Sequence, residues 1–78
     1  MGKHSFKQFE KSSLAKNLKL LRLKFGYTQG QIAEYLNISR SAYTYYEMGN
    51  TEPSINSLEI LSQIYDVKID ELLHNMKY

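Results

Sequence analysis

The feature that most restricts this chain is its punctuation. Gly26 stands two residues before Thr28, Asn37 two residues before Ser39, and Gly49-Asn50 just before Pro53-Ser54. Each time, a residue that tolerates left-handed backbone angles, and so ends a helix, precedes one suited to starting the next. Stops and starts this close leave room for short helices joined by minimal turns. No stretch carries sustained alternation of apolar and polar residues, so strands are not expected.

The segments between these marks have helical periodicity. From about Ser13 to Phe25, the residues Leu14, Leu18, Leu21 and Phe25 recur every three to four positions, with Lys16, Lys19 and Arg22 between them. Thr28 and Gln31 have the spacing of a reciprocal capping box, and Ile32, Ala33 and Leu36 form the apolar side of the helix they open. Gly30 lowers the propensity of that helix by about 1 kcal/mol relative to alanine. A third helix spans 39–48, capped by Ser39. The fourth opens at Pro53-Ser54 with Ile55, Leu58, Leu61 and Ile64 on one stripe, and a short fifth from Ile69 to His74 presents Ile69, Leu72 and Leu73. The expected fold is all-α, a five-helix bundle in one domain over residues 13–78. For the tail, residues 1–12, two readings stay open: a helical lead-in packed through Phe6 and Phe9, or a mobile segment.

A chain of 78 residues supports one domain with a thin stability margin, which dimerisation would widen. Without cysteine it has neither a disulfide framework nor a thiolate metal site. His4 and His74 lie at opposite ends with no companion ligand, so no metal and no cofactor is expected. There is no Gly-x-Ser-x-Gly elbow and no glycine-rich phosphate loop, and Asp70 and Glu71 suit the dipole at the start of the fifth helix better than acid catalysis. An enzyme is not expected. Apolar runs are too short to span a membrane, the N-terminus lacks a secretory apolar stretch, and Phe6 stands where N-myristoylation would need serine or threonine. The expected location is cytoplasmic.

Charge is segregated. Residues 1–40 carry eight Lys/Arg against Glu10 and Glu34, a balance of +6, whereas residues 41–78 carry Lys68 and Lys77 against six acids, a balance of −4. A basic half suits a polyanion, although a solvated lysine face gives the same pattern. At about 100° per residue, the third helix projects Arg40, Ser41, Thr44, Tyr45 and Met48 from one side and Ala42, Tyr43 and Tyr46 from the other. An arginine at the start of such a helix can grip guanine O6 and N7, and Ser41 and Thr44 can donate to or accept from a base edge or a phosphate. Tyr45 offers a ring and a hydroxyl. A polar solvent-facing stripe is the plain alternative for this face. Its position after a capped helix and a minimal turn favours a helix-turn-helix corner.

Leu21-Arg22, Gly26-Tyr27-Thr28-Gln29, Ile32-Ala33, Leu36, Ile38-Ser39-Arg40-Ser41, Tyr46-Glu47, Gly49, Glu52-Pro53-Ser54 and the closing Val67-Lys68-Ile69-Asp70-Glu71-Leu72-Leu73 are in register, without a gap, with the Xre/Cro/CI helix-turn-helix family of phage-repressor-like regulators. The resemblance covers about residues 14–73. It implies a lambda-repressor-like DNA-binding domain with a recognition helix at 39–48, base-reading positions at Arg40, Ser41, Thr44 and Tyr45, and phosphate contacts at Gln29, Thr28 and Asn50. Gln29 would also brace the first recognition residue, and Lys19 on the first helix would add backbone attraction. Arg22 and Glu47 occupy positions where relatives form an internal ion pair, a surface or phosphate-binding Arg22 being the alternative. Met48 and Asn50 sit where many relatives carry a basic or amide residue, Lys68 replaces a small capping residue, and Tyr43, read as core, replaces a β-branched aliphatic.

The expected function is therefore a sequence-specific, double-stranded DNA-binding transcriptional regulator, read as a repressor acting as a homodimer. Lys3, Lys7 and Lys11 are open to two readings, a DNA-wrapping arm or solvated lysines. The stripe Leu61, Ile64, Tyr65, Leu72 and Leu73 is expected to be core, with a dimer seam as a further use. The rival is a protein-interaction module of the same fold, such as the antitoxin of a toxin–antitoxin pair. A weaker rival is an adaptor that bridges other regulators.

Overall fold

The stops adopt the geometry their residue types allow. Asn37 (φ 59°) and Gly49 (φ 78°) are left-handed and return their N–H groups to carbonyls of the helices they close. The computed structural model describes the backbone of residues 5–74 and the side chains of residues 13–74. It contains α1 (Ser5–Phe25), α2 (Gln29–Leu36), α3 (Arg40–Met48), α4 (Ile55–Tyr65) and α5 (Ile69–Leu73), with no strand among the described residues. Thr28 and Gln31 close a complete capping box, and Ser39 and Ser54 each accept from the backbone N–H three residues on. The tail side chains Lys3, Lys7, Lys11, Phe6, Phe9 and His4 lie outside the described side chains.

Two differences from the sequence reading have physical causes, and one helix stop has no counterpart in it. First, α1 begins at Ser5 and not near Ser13, so most of the expected tail continues the first helix. Nothing between Ser5 and Ser13 is glycine or proline, and a helix once nucleated adds residues readily. Second, Ile55 is 75% exposed although it lies on the apolar stripe of α4; Pro53, just outside the helix, is the buried residue there. The stop of α4, for which the sequence reading names no residue, is Asp66, left-handed at φ 54°, one of the few side chains short enough for that region.

The core is built from Leu18, Leu21, Ile32, Tyr43, Leu61 and Leu72, each almost wholly buried. Leu14, Leu58 and Ile64 pack against it, and Phe25, 46% exposed, contributes only an edge contact to the Tyr65 ring at 5.2 Å. Helix α1 lies across α3 and α5, α2 rests on α3 and α4, and α4 supports α5.

Asn17 is buried within the apolar stripe of α1. Its Nδ2 donates to the carbonyls of Leu72 (2.8 Å) and His74 (2.6 Å) at the end of α5. Five-residue α5 cannot satisfy its own last carbonyls, and Asn17 does so for it. At the other end of α5, Lys68 has no lone pair with which to cap. Only the returning half of a box is made there, Lys68 N–H donating to Glu71 Oε1 at 2.7 Å. No described helix is long and apolar enough to cross a membrane, and no described group of three His, Cys, Asp or Glu could hold a metal ion.

Candidate nucleic-acid interface

Helix α3 has two unlike sides. Tyr43 points into the core, with the Tyr46 ring at 6.0 Å in edge contact, and Ala42 is half-buried near the turn. On the opposite side Arg40, Ser41, Tyr45 and Met48 are exposed and Thr44 is half-buried. All four residues expected to read bases thus share the outward side of one helix.

What holds that side in place is a buried carboxylate. The Glu47 side chain, 4% exposed, receives Arg22 in the bidentate manner: Nε donates to Oε2 at 2.6 Å and Nη2 to Oε1 at 3.1 Å. Arg22 Nη1 also donates to the Tyr27 carbonyl at 3.1 Å, tying the start of the α1–α2 loop to the same centre. The Tyr43 hydroxyl donates to Glu47 Oε2 from one turn earlier in α3, and Gln29 Nε2 donates to Oε1 at 3.1 Å from the first turn of α2. One carboxylate therefore takes donors from α1, α2 and α3.

Electrostatics follow from this geometry. Burial by itself would raise the Glu47 carboxyl, but the hydrogen bonds from Arg22, Tyr43 and Gln29 outweigh it and hold the carboxyl below its usual range. The hydrogen bond to Glu47 raises Arg22 further still, and burial together with the neighbouring carboxylate pushes the Tyr43 hydroxyl far above its ordinary value. All three groups keep a single charge state throughout the neutral range.

Gln29 links this centre to the outward face. Its Oε1 accepts from Thr44 Oγ1 at 2.9 Å, while Thr44 Oγ1 also lies 3.0 Å from the Arg40 carbonyl. The brace expected at the first recognition residue thus falls one turn later, on Thr44, while Arg40 is exposed. Thr28 is exposed at the start of α2, its hydroxyl occupied by the cap. Asn50 is exposed just past α3, its N–H returned to the Tyr45 carbonyl at 3.0 Å. Exposed Lys19 lies about 60° around α1 from Arg22. Neither Thr28, Asn50 nor Lys19 is drawn into the Glu47 cluster.

Two contributors were not legible as such. Tyr43 was read as core alone, yet its hydroxyl is part of the centre; its i, i+4 spacing to Glu47 was the available signal. Asn17 has no role in the sequence reading, although a lone amide between Leu14, Leu18 and Leu21 marks a buried polar contact.

Comparison with known proteins agrees with this architecture. The helix-turn-helix family profile (HTH_3) matches residues 18–72. The chain belongs to the helix-turn-helix family. All of its phage-repressor-like motifs except the final Leu73 lie within that match. Relatives include the uncharacterised HTH-type transcriptional regulator YqaE of Bacillus subtilis, 44% identical over 59 residues, covering 76% of this chain and 51% of the relative. The HTH-type transcriptional regulator ImmR of the same organism is 44% identical over 78% of this chain and 48% of its own length. The HTH-type transcriptional activator BcrR of Enterococcus faecalis is 44% identical over 73% of this chain and 29% of its own length. The chain thus spans about half the length, or less, of these helix-turn-helix relatives. Among solved structures, a transcriptional regulator from Listeria innocua superposes with a TM-score of 0.76 at 35% identity, over 83% of this chain and 61% of that one.

Proposed function

We propose that this chain is the DNA-reading part of a transcriptional regulator that binds duplex DNA as a homodimer. The observation that carries the reading is the division of α3: one side anchored to α1 and α2 through buried Glu47, the other presenting Arg40, Ser41, Thr44 and Tyr45 to solvent. A rigid helix with a polar outer side can enter a major groove while its partner helix spans the backbone. In this reading Arg40 and Tyr45 contact base edges, and Gln29, Thr28, Asn50 and Lys19 contact phosphates. Two copies would address half-sites about 34–36 Å apart.

The dimer seam has fewer candidates than the stripe of the last two helices offered. Leu61, Tyr65 and Leu72 are sealed in the core, leaving Leu73, half-buried Ile64 and exposed Ile55 on that side. The relatives are named as transcriptional regulators, which favours this reading over the antitoxin alternative.

Selection of bound sequences from random duplex DNA, followed by competition with unrelated DNA at fixed salt, tests the proposal. The expected result is an enriched, two-fold-related motif. Arg40→Ala should relax one position of each half-site by about 1–3 kcal/mol while the rest of the motif persists. Binding that unrelated DNA competes away equally well would refute sequence-specific regulation.

A further inference from the structure

Thr44 is the one outward residue of α3 whose hydrogen-bonding polarity is fixed by the fold, and the fixing begins at Glu47. That carboxylate, engaged by Arg22 on both oxygens, only accepts, so the Gln29 atom 3.1 Å from it must be the amide nitrogen. Gln29 is thereby held in one orientation, with its amide oxygen toward Thr44 Oγ1 at 2.9 Å. The other polar neighbour of Thr44 Oγ1 is the Arg40 carbonyl at 3.0 Å. Both neighbours are acceptors, and a threonine hydroxyl has a single proton. Whichever of the two receives it, none is left for a third partner.

We infer that Thr44 meets DNA as an acceptor only and so determines specificity at one base of the half-site. The inference rests on the DNA-reading proposal above. In the major groove the outward donors are the exocyclic amino groups, N6 of adenine and N4 of cytosine, whereas guanine offers O6 and N7 and thymine offers O4, all acceptors. An acceptor-only hydroxyl therefore selects adenine or cytosine over guanine or thymine on the strand it touches. Ser41, also exposed on this side, is not subject to the same constraint, because no neighbour is seen to take its proton.

The test compares sequence selection from random duplex DNA by the full chain, Thr44→Val and Thr44→Ser, with the melting temperature of each measured first. A net hydrogen bond of ordinary strength corresponds to about a 3- to 10-fold preference. The expected result is that the parent favours adenine or cytosine by that factor at one position, Thr44→Val loses this bias alone, and Thr44→Ser keeps it. A second measurement needs no variant. Duplexes in which single adenines or cytosines lack the exocyclic amino group should bind the parent chain about 3- to 10-fold more weakly at that one position. The inference is overturned if the position altered by Thr44→Val favours guanine or thymine, or if Thr44→Ser loses as much as Thr44→Val. It is equally overturned if no single amino deletion weakens the parent. Absence of any enriched sequence with the parent chain would instead remove the DNA-reading proposal itself, so the two failures look different.

Discussion

Along one flank α1 meets α3 through a charged pair; along another it meets α5 through a neutral amide. Arg22 and Glu47 are both nearly buried, and Glu47 gathers donors from three helices. Asn17 is as deeply buried, but its amide donates only to the trailing carbonyls of one five-residue helix. A carboxylate has room for several donors arriving from different directions, so it can fix the relative rotation of the helices that supply them. A single amide N–H₂ pins one point. The charged contact is found where α3 must be held at a set angle to α1 and α2, and the neutral one where the bundle is merely closed.

The widest gap between the two flanks should appear on deletion. Glu47→Ala strands the Arg22 guanidinium and should cost about 3–5 kcal/mol in chemical denaturation. The Arg22→Ala/Glu47→Ala double variant should lose less than the two single losses combined, since each single variant leaves an unpaired charge. Lowering the pH offers the same contrast without mutation. The folded Glu47 carboxyl titrates below its ordinary value of 4.5, so its contribution is complete above that value and is lost as the pH falls through the lower folded one. The stability difference between the parent and Asn17→Ala should stay constant over that range, while the parent itself weakens. Asn17→Ala comes next in size, at about 1–3 kcal/mol, because buried carbonyls lose their donor. If Asn17→Ala proves as costly as Glu47→Ala, the distinction between the flanks fails. The smallest effect is a gain: Lys68→Ser supplies the acceptor missing at the start of α5 and should add about 0.5–1 kcal/mol to thermal stability.

Legibility in the sequence follows the same division between local and assembled features. Thr28, Asn37, Ser39, Gly49 and Ser54 act through bonds to backbone within a few residues, so their roles can be read one at a time and the helices they bound are placed closely. The start of α1 carried no such mark, since a helix can run on through Phe6 to Ser12 without a capping residue to announce it. Ile55 went astray because periodicity places a residue on a face without saying how far the neighbouring elements extend over it. The outward set Arg40, Ser41, Thr44 and Tyr45 was readable from helical spacing. The attachment of Gln29 to Thr44 in place of Arg40 was not, because it depends on how α1, α2 and α3 meet, which is fixed by contacts among residues 15 to 25 positions apart.

A centre shared by three helices also governs how the molecule opens. Neither α2 nor α3 can lift from α1 without exposing the same ion pair, so their amide protons should share one slow rate of exchange with solvent deuterium. The α5 segment has no stake in that centre and is free to fray on its own. A three-helix unit carrying the outward face of α3 and a separately closed α5 should therefore open independently, with the amides of α5 exchanging before those of α2 and α3.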